Sequence, residues 1–97
     1  MHRWIVILQD CPKEIADRIR QDGYEEHFAF LRSNFDRIVF SCGLQNVTAD
    51  AAASYGGFWM VEADSKGDVV DMLEKDPYFK LGLREKIEIF KAHEGYI

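Results

Sequence analysis

The stretch Asp76-Pro77-Tyr78-Phe79-Lys80-Leu81-Gly82-Leu83 does most to limit what this chain folds into. Before it, Val69, Met72 and Leu73 recur at helical spacing. After it, Ile87 and Ile89 alternate with charged residues as in a strand. Proline disfavours helical geometry at the residue before it, so the helix must stop at Asp76 and the chain must turn. Ser65-Lys66-Gly67-Asp68 fits a capping box and opens that helix. The C-terminal part is therefore a helix over residues 65–75, an enforced turn, and a last strand over residues 84–92. Residues 93–97 read as a tail.

Working back from that anchor, Trp4 to Leu8 is a continuous apolar run with β-branched residues, read as a strand over residues 3–9. Asp10-Cys11-Pro12 stops it, and Pro12 suits a first helical turn. Ile15, Ala16 and Ile19 give a helix over residues 12–21, which Asp22-Gly23 is expected to break. A second helical segment runs over residues 24–34, with Tyr24, Phe28, Leu31 and Phe35 as its apolar stripe and His27 at the stripe's margin. Residues 37–44 form the second strand, with Ile38, Phe40 and Cys42 on one side and Val39 and Ser41 on the other. Residues 45–55 read as a loop, with room for a helical turn through Asp50-Ala51-Ala52-Ala53. Phe58 to Ala63 is the third strand, antiparallel to the second and opened by Gly56-Gly57.

The order is βαββαβ, a ferredoxin-like split arrangement in which helices cover one face of a four-stranded antiparallel sheet. With 97 residues, the whole chain, 1–97, is expected to be a single domain. The other sheet face is left bare. Trp4, Trp59 and Phe90 are too many large apolar groups to divide between one small core and water, so sheets are expected to pack face to face in a homodimer, a dimeric α/β barrel.

A net charge of −5 argues against nucleic acid and against anionic membranes, which select basic patches. The apolar runs are too short to span a bilayer, and Trp4 to Leu8 lacks the features of a signal peptide. The expected compartment is the cytoplasm, where Cys11 and Cys42 stay reduced. No metal site is expected. The cysteines lack ligand spacing, and Asp64, Asp68 and Asp71 lack a calcium-loop pattern.

The chemistry centres on His27 and Asp76. The fold places the first helical layer beside the second, so the two approach. A carboxylate hydrogen-bonded to a histidine fixes its tautomer and orientation, which suits it to proton transfer near neutral pH. The bland readings stand beside this one. A histidine beside an apolar stripe is commonly structural, and an aspartate before proline commonly caps its own turn. Tyr78 is either a hydroxyl donor in the cleft or a core aromatic with its hydroxyl in water. Ser41 and Phe40 are candidate substrate-binding residues, and Phe40, Trp59 and Tyr78 are candidate apolar walls.

These residues together resemble the YCII-related proteins. The resemblance spans nearly the whole chain. It is carried by Trp4 to Leu8, by Glu26-His27-Phe28-Ala29-Phe30-Leu31 and by Gly43. It continues through Val61-Glu62-Ala63-Asp64-Ser65 and Asp76-Pro77-Tyr78 with Gly82-Leu83. It implies a dimeric α/β barrel and a catalytic pair at His27 and Asp76. One branch of the family is linked to dehydrochlorination of chlorinated hydroxylated aromatics. Leu44 stands where many relatives have proline, and the alanine-rich stretch 45–55 has its own character, so the substrate does not carry over. Two functions compete. One is an enzyme with a His–Asp pair performing a lyase- or isomerase-type proton transfer, without cofactor or metal, on a small organic molecule, aromatic ones included. The other is a non-catalytic dimeric domain that binds a small molecule or a protein, in which His27 would be sealed by Tyr24 and Leu31. A heme- or oxygen-handling barrel is a third, less supported by the residues.

Overall fold

A computed structural model describes residues 1–48, 55–93 and 95. The elements run β1 (His2–Asp10), α1 (Lys13–Ser33), β2 (Ile38–Gln45), β3 (Tyr55–Ala63), α2 (Lys66–Lys75), α3 (Pro77–Lys80) and β4 (Arg84–Lys91). The sheet is antiparallel in the order β2-β3-β1-β4. This is the ferredoxin-like α+β arrangement. Each main helix carries the chain past one intervening strand to a parallel one. The helical turn expected at Asp50 to Ala53 lies outside the described residues.

Strand alternation divides the sheet cleanly. Trp4, Val6 and Leu8 of β1, Trp59 and Val61 of β3 and Ile38 of β2 are buried against Val69, Met72 and Leu73 of α2. Ile87 and Ile89 of β4 pack on the same core. Ile5 lies between Met60 and Phe90, and Ile7 between Phe58 and Glu88, on the opposite face. Trp4 and Trp59 therefore do not belong to the bare face. Their even register with Val6 and Val61 turns both under the helices, and the Trp4 indole N–H donates to the Ala63 carbonyl at 3.0 Å. The bare face is instead Ile5, Ile7, Phe58 and Met60, with the exposed rings of Phe40 and Phe90. Phe40 stands edge-on to Phe58, with ring centroids 6.0 Å apart.

Two local expectations fail for physical reasons. A register shift between Ile38 and Phe40 places Ile38 in the core and Phe40 outside it, so they do not share a side. The same strand leaves Cys42 exposed. Asp22-Gly23 does not break the first helix, and α1 is continuous. Its inward stripe comprises Ala16, Ile19, Arg20, Gly23, His27, Phe30 and Leu31. Tyr24, Phe28 and Phe35 lie outside that stripe and are exposed. Gly23 is an interior glycine because α3 lies against it. A Cβ there would meet Leu81 Cδ1 at 2.8 Å and the Tyr78 ring at 3.3 Å.

α2 begins as the sequence demands, with Ser65 Oγ accepting from Asp68 N–H at 3.2 Å. It ends at Asp76, whose ψ of 126° is extended, and Pro77 opens the short α3. Among the described residues, no helix is long and apolar enough to cross a membrane.

Candidate functional site

α1 and α3 bring together two residues 49 positions apart. His27 Nδ1 lies 2.6 Å from Asp76 Oδ1, and since an ionised carboxylate can only accept, the ring nitrogen is the donor. The same oxygen accepts the Tyr78 backbone N–H at 3.1 Å. The two roles set against each other for Asp76, orienting a histidine and capping its own turn, are thus performed by one atom. Asp76 is 1% exposed, and its carboxylate is held from both sides. With the proton on Nδ1, the other ring nitrogen of a neutral imidazole is an acceptor.

Tyr78 lies flat on His27, with ring centroids 3.9 Å apart and planes 18° from parallel. It is 2% exposed. Its hydroxyl is not in water: it donates to the Arg20 carbonyl of α1 at 3.2 Å. Burial pushes the phenol above its ordinary value, against the opposing pull of Arg20 and Arg84.

Sequence reasoning missed the other half of the site. Asp10, at the end of β1, is buried and takes two guanidinium groups. Arg20 Nε donates to Oδ2 at 2.9 Å, and Arg84 Nη1 to Oδ1 at 2.8 Å. Arg20 Nη2 also donates to the Gly56 carbonyl at 3.2 Å. Both guanidinium carbons sit by the Tyr78 ring, 5.5 and 5.7 Å from its centre. Burial holds the Arg84 guanidinium below its ordinary value; Asp10 opposes this and Arg20 adds to it. A signal existed in the sequence. Arg20 falls on the inward stripe of α1 with His27, seven residues earlier. Asp10 and Arg84, by contrast, read as an ordinary strand end and strand start.

A cleft of about 390 Å³ opens beside these groups. His27, Tyr78, Arg20 and Arg84 line one side, and Gly43, Gly56 and Gly57 form part of the sheet beneath. Tyr24 and Phe28, stacked at 6.0 Å, and Leu31 line it from α1. Of the residues expected to bind substrate, Tyr78 and Ser41 line this cleft, as does Trp59. Phe40 lies elsewhere, in a neighbouring groove of about 310 Å³ with Phe28, Phe35 and Ile38. Among the described residues, no group of three or more His, Cys, Asp or Glu is placed to hold a metal.

A four-stranded antiparallel sheet with helices over one face defines a ferredoxin-like α+β domain. The chain belongs to the YCII-related family, whose domain model matches residues 2–93. Solved structures share the fold. The 5-chloro-2-hydroxyhydroquinone dehydrochlorinase of Burkholderia phenoliruptrix, in complex with 2,5-dihydroxybenzoquinone, is 24% identical with a TM-score of 0.78; the match covers 96% of this chain and 95% of that one. A hypothetical protein of Arabidopsis thaliana is similar at a TM-score of 0.54 and 10% identity, over 99% of this chain and 90% of that one. No curated protein sequence matches the chain.

Proposed function

We propose that the cleft binds a small organic molecule and that His27, oriented by Asp76, transfers a proton to or from it in a lyase- or isomerase-type step. The observation that carries this reading is the 2.6 Å contact between His27 Nδ1 and Asp76 Oδ1 at the wall of an open cleft. Asp76 selects the Nδ1–H tautomer, and Nε2 is left as the base. Tyr78 stacks on the ring and limits its rotation. The competing reading, a binding domain without chemistry, expects His27 sealed by Tyr24 and Leu31. Both of those residues instead line the cleft beside it, which favours the enzyme.

The structurally similar dehydrochlorinase points to hydroxylated, halogenated aromatics as the first compounds to offer. In such an elimination a base takes a proton, electrons move toward the ring, and chloride departs. The test is halide release from a panel of these compounds, followed by the same assay with His27→Ala and Asp76→Asn. Loss of kcat by about 100-fold or more in His27→Ala is expected. A substrate turned over equally well by both variants would remove the pair from the mechanism.

The bare sheet face is proposed to close a homodimer. Its support is the contiguous apolar set Ile5, Ile7, Phe40, Phe58, Met60 and Phe90. A reducing compartment such as the cytoplasm fits Cys11 and Cys42, which are both free.

A further inference from the structure

The Arg20–Asp10–Arg84 cluster is more than the cleft needs for packing. Two guanidinium groups converge on Asp10, and Asp76, the other buried carboxylate that acts on Arg84, is already engaged by His27 and the Tyr78 N–H. The Arg84 side chain is 4% exposed. Its Nη1 is taken by Asp10, while its Nε is buried with no hydrogen-bond partner among the described residues. Nε and Nη2 form the side-on edge of the guanidinium fork, the edge that pairs with two oxygens at once. An unpaired N–H on a buried cation is unfavourable unless some oxygen completes it.

The surroundings favour a flat occupant. Beneath Arg84 the sheet is bare backbone. A Cβ at Gly57 would come within 3.4 Å of both terminal nitrogens of Arg84, and one at Gly56 within 2.0 Å of the Leu8 carbonyl oxygen. Glycine at 57 keeps the space under Arg84 clear, whereas Gly56 answers the close approach of the Leu8 backbone. The Tyr78 ring contacts His27 on one hand and both guanidinium groups on the other, so the positive cluster and the imidazole serve the same space.

We propose that Arg84, supported by Arg20 and held by Asp10, is an oxyanion-binding subsite, and that the cleft therefore takes a planar organic anion such as a phenolate, enolate or carboxylate. Asp10 is a positioning residue that fixes both guanidinium groups without touching the ligand. This subsite deepens the proposed function: it rests on the cleft being the substrate site, but not on His27 being the base.

The test compares two probes of one shape, benzoate and benzamide, by titration calorimetry on the intact protein. Benzoate is expected to bind at least about tenfold more tightly, as a charge-assisted fork contact requires. Arg84→Gln should abolish most of that preference. Arg84→Lys, which keeps the charge facing Asp10 but lacks the side-on edge, should lose part of it. Should Arg84→Gln lose its native circular dichroism, Arg20→Gln provides the second variant, and it too should weaken benzoate selectively. Equal affinity of the wild-type protein for the two probes overturns the proposal. So does failure of both to bind at millimolar concentration, or an unchanged preference in a folded Arg84→Gln protein. His27→Ala should retain the preference for benzoate, so anion recognition and proton transfer fail separately.

Discussion

The imidazole of His27 lies 3.9 Å from the ring of Tyr78, the two planes 18° apart, although 51 positions of sequence separate them. The contact exists because α3 crosses α1 at Gly23, one helical turn from His27. The same crossing delivers the Asp76 carboxylate to the far side of the imidazole from the cleft. Stack and hydrogen bond together leave the histidine one orientation.

Asp76 is expected to matter to folding as well as to chemistry. Asp76→Ala removes the acceptor of the Tyr78 N–H and leaves His27 Nδ1–H without a partner in a buried place. A loss of about 1–3 kcal/mol should follow, measured by urea denaturation. Asp76→Asn, which keeps an oxygen at that position, should cost less than half as much. In the wild-type protein, nitrogen NMR should find the His27 proton on Nδ1. A neutral ring protonated on Nε2 would overturn the assignment of His27 as the donor to Asp76.

Gly23 separates two effects of substitution. Alanine would ordinarily stabilise a helix interior by about 1 kcal/mol over glycine. Here its methyl must push aside the end of Leu81, a half-exposed side chain, and would touch the Tyr78 ring at 3.3 Å. Gly23→Ala should therefore lie within about 1 kcal/mol of wild type. Gly23→Val carries a second branch into the Tyr78 ring, which stacking holds in place. It should cost about 1–3 kcal/mol and perturb the His27 side-chain signals. A Val variant as stable as the Ala variant would show that α3 is not docked as described.

Alkaline pH should weaken the fold through Tyr78. Burial raises its phenol above the ordinary value of 10.0, so the folded state favours the neutral form. Below pH 10 both states hold the proton and the contribution is complete. As pH rises through 10 and on through the folded value, the unfolded chain gives up its proton first, and stability falls. Tyr78→Phe should flatten that decline. Urea midpoints measured on either side of pH 10 would show it, and parallel curves for the two proteins would refute it.

The bare sheet face makes a prediction about assembly. Phe90 is 49% exposed and sits on the edge strand β4 beside Ile5 of the apolar set. Sedimentation should show two chains per particle for wild type. Phe90→Glu, a charge placed in a desolvated interface, should raise the dimer dissociation constant by about 100-fold or more. Its circular dichroism should stay native. A wild-type monomer at micromolar concentration would end the dimer reading.

Much of this was legible in the chain, and the limits have identifiable causes. The βαββαβ order follows from apolar periodicity and from Pro12, Ser65 and Pro77, all local signals. His27 and Asp76 were found because each stands in a motif. Arg20 left only its place on the inward stripe of α1 as a signal, and Asp10 and Arg84 left none, because an ion pair between a helix and two strand ends has no pattern of its own in the sequence. Phe40, expected as an aromatic wall of the cleft, lines the neighbouring groove instead, and the register shift between Ile38 and Phe40 also breaks the alternation expected to join those two residues on one side.

The amino-acid sequence by itself determined the elements and the place where the second helix must end, since steric rules for proline, capping and hydrophobic period act within a few residues. Only the tertiary structure decided what Asp76 does. A carboxylate before proline caps its own turn in any protein. It becomes the partner of His27 here because Gly23 lets α3 approach α1 closely enough for one oxygen to serve both N–H groups. That distance is set by packing between segments far apart in the chain, and no local stretch encodes it.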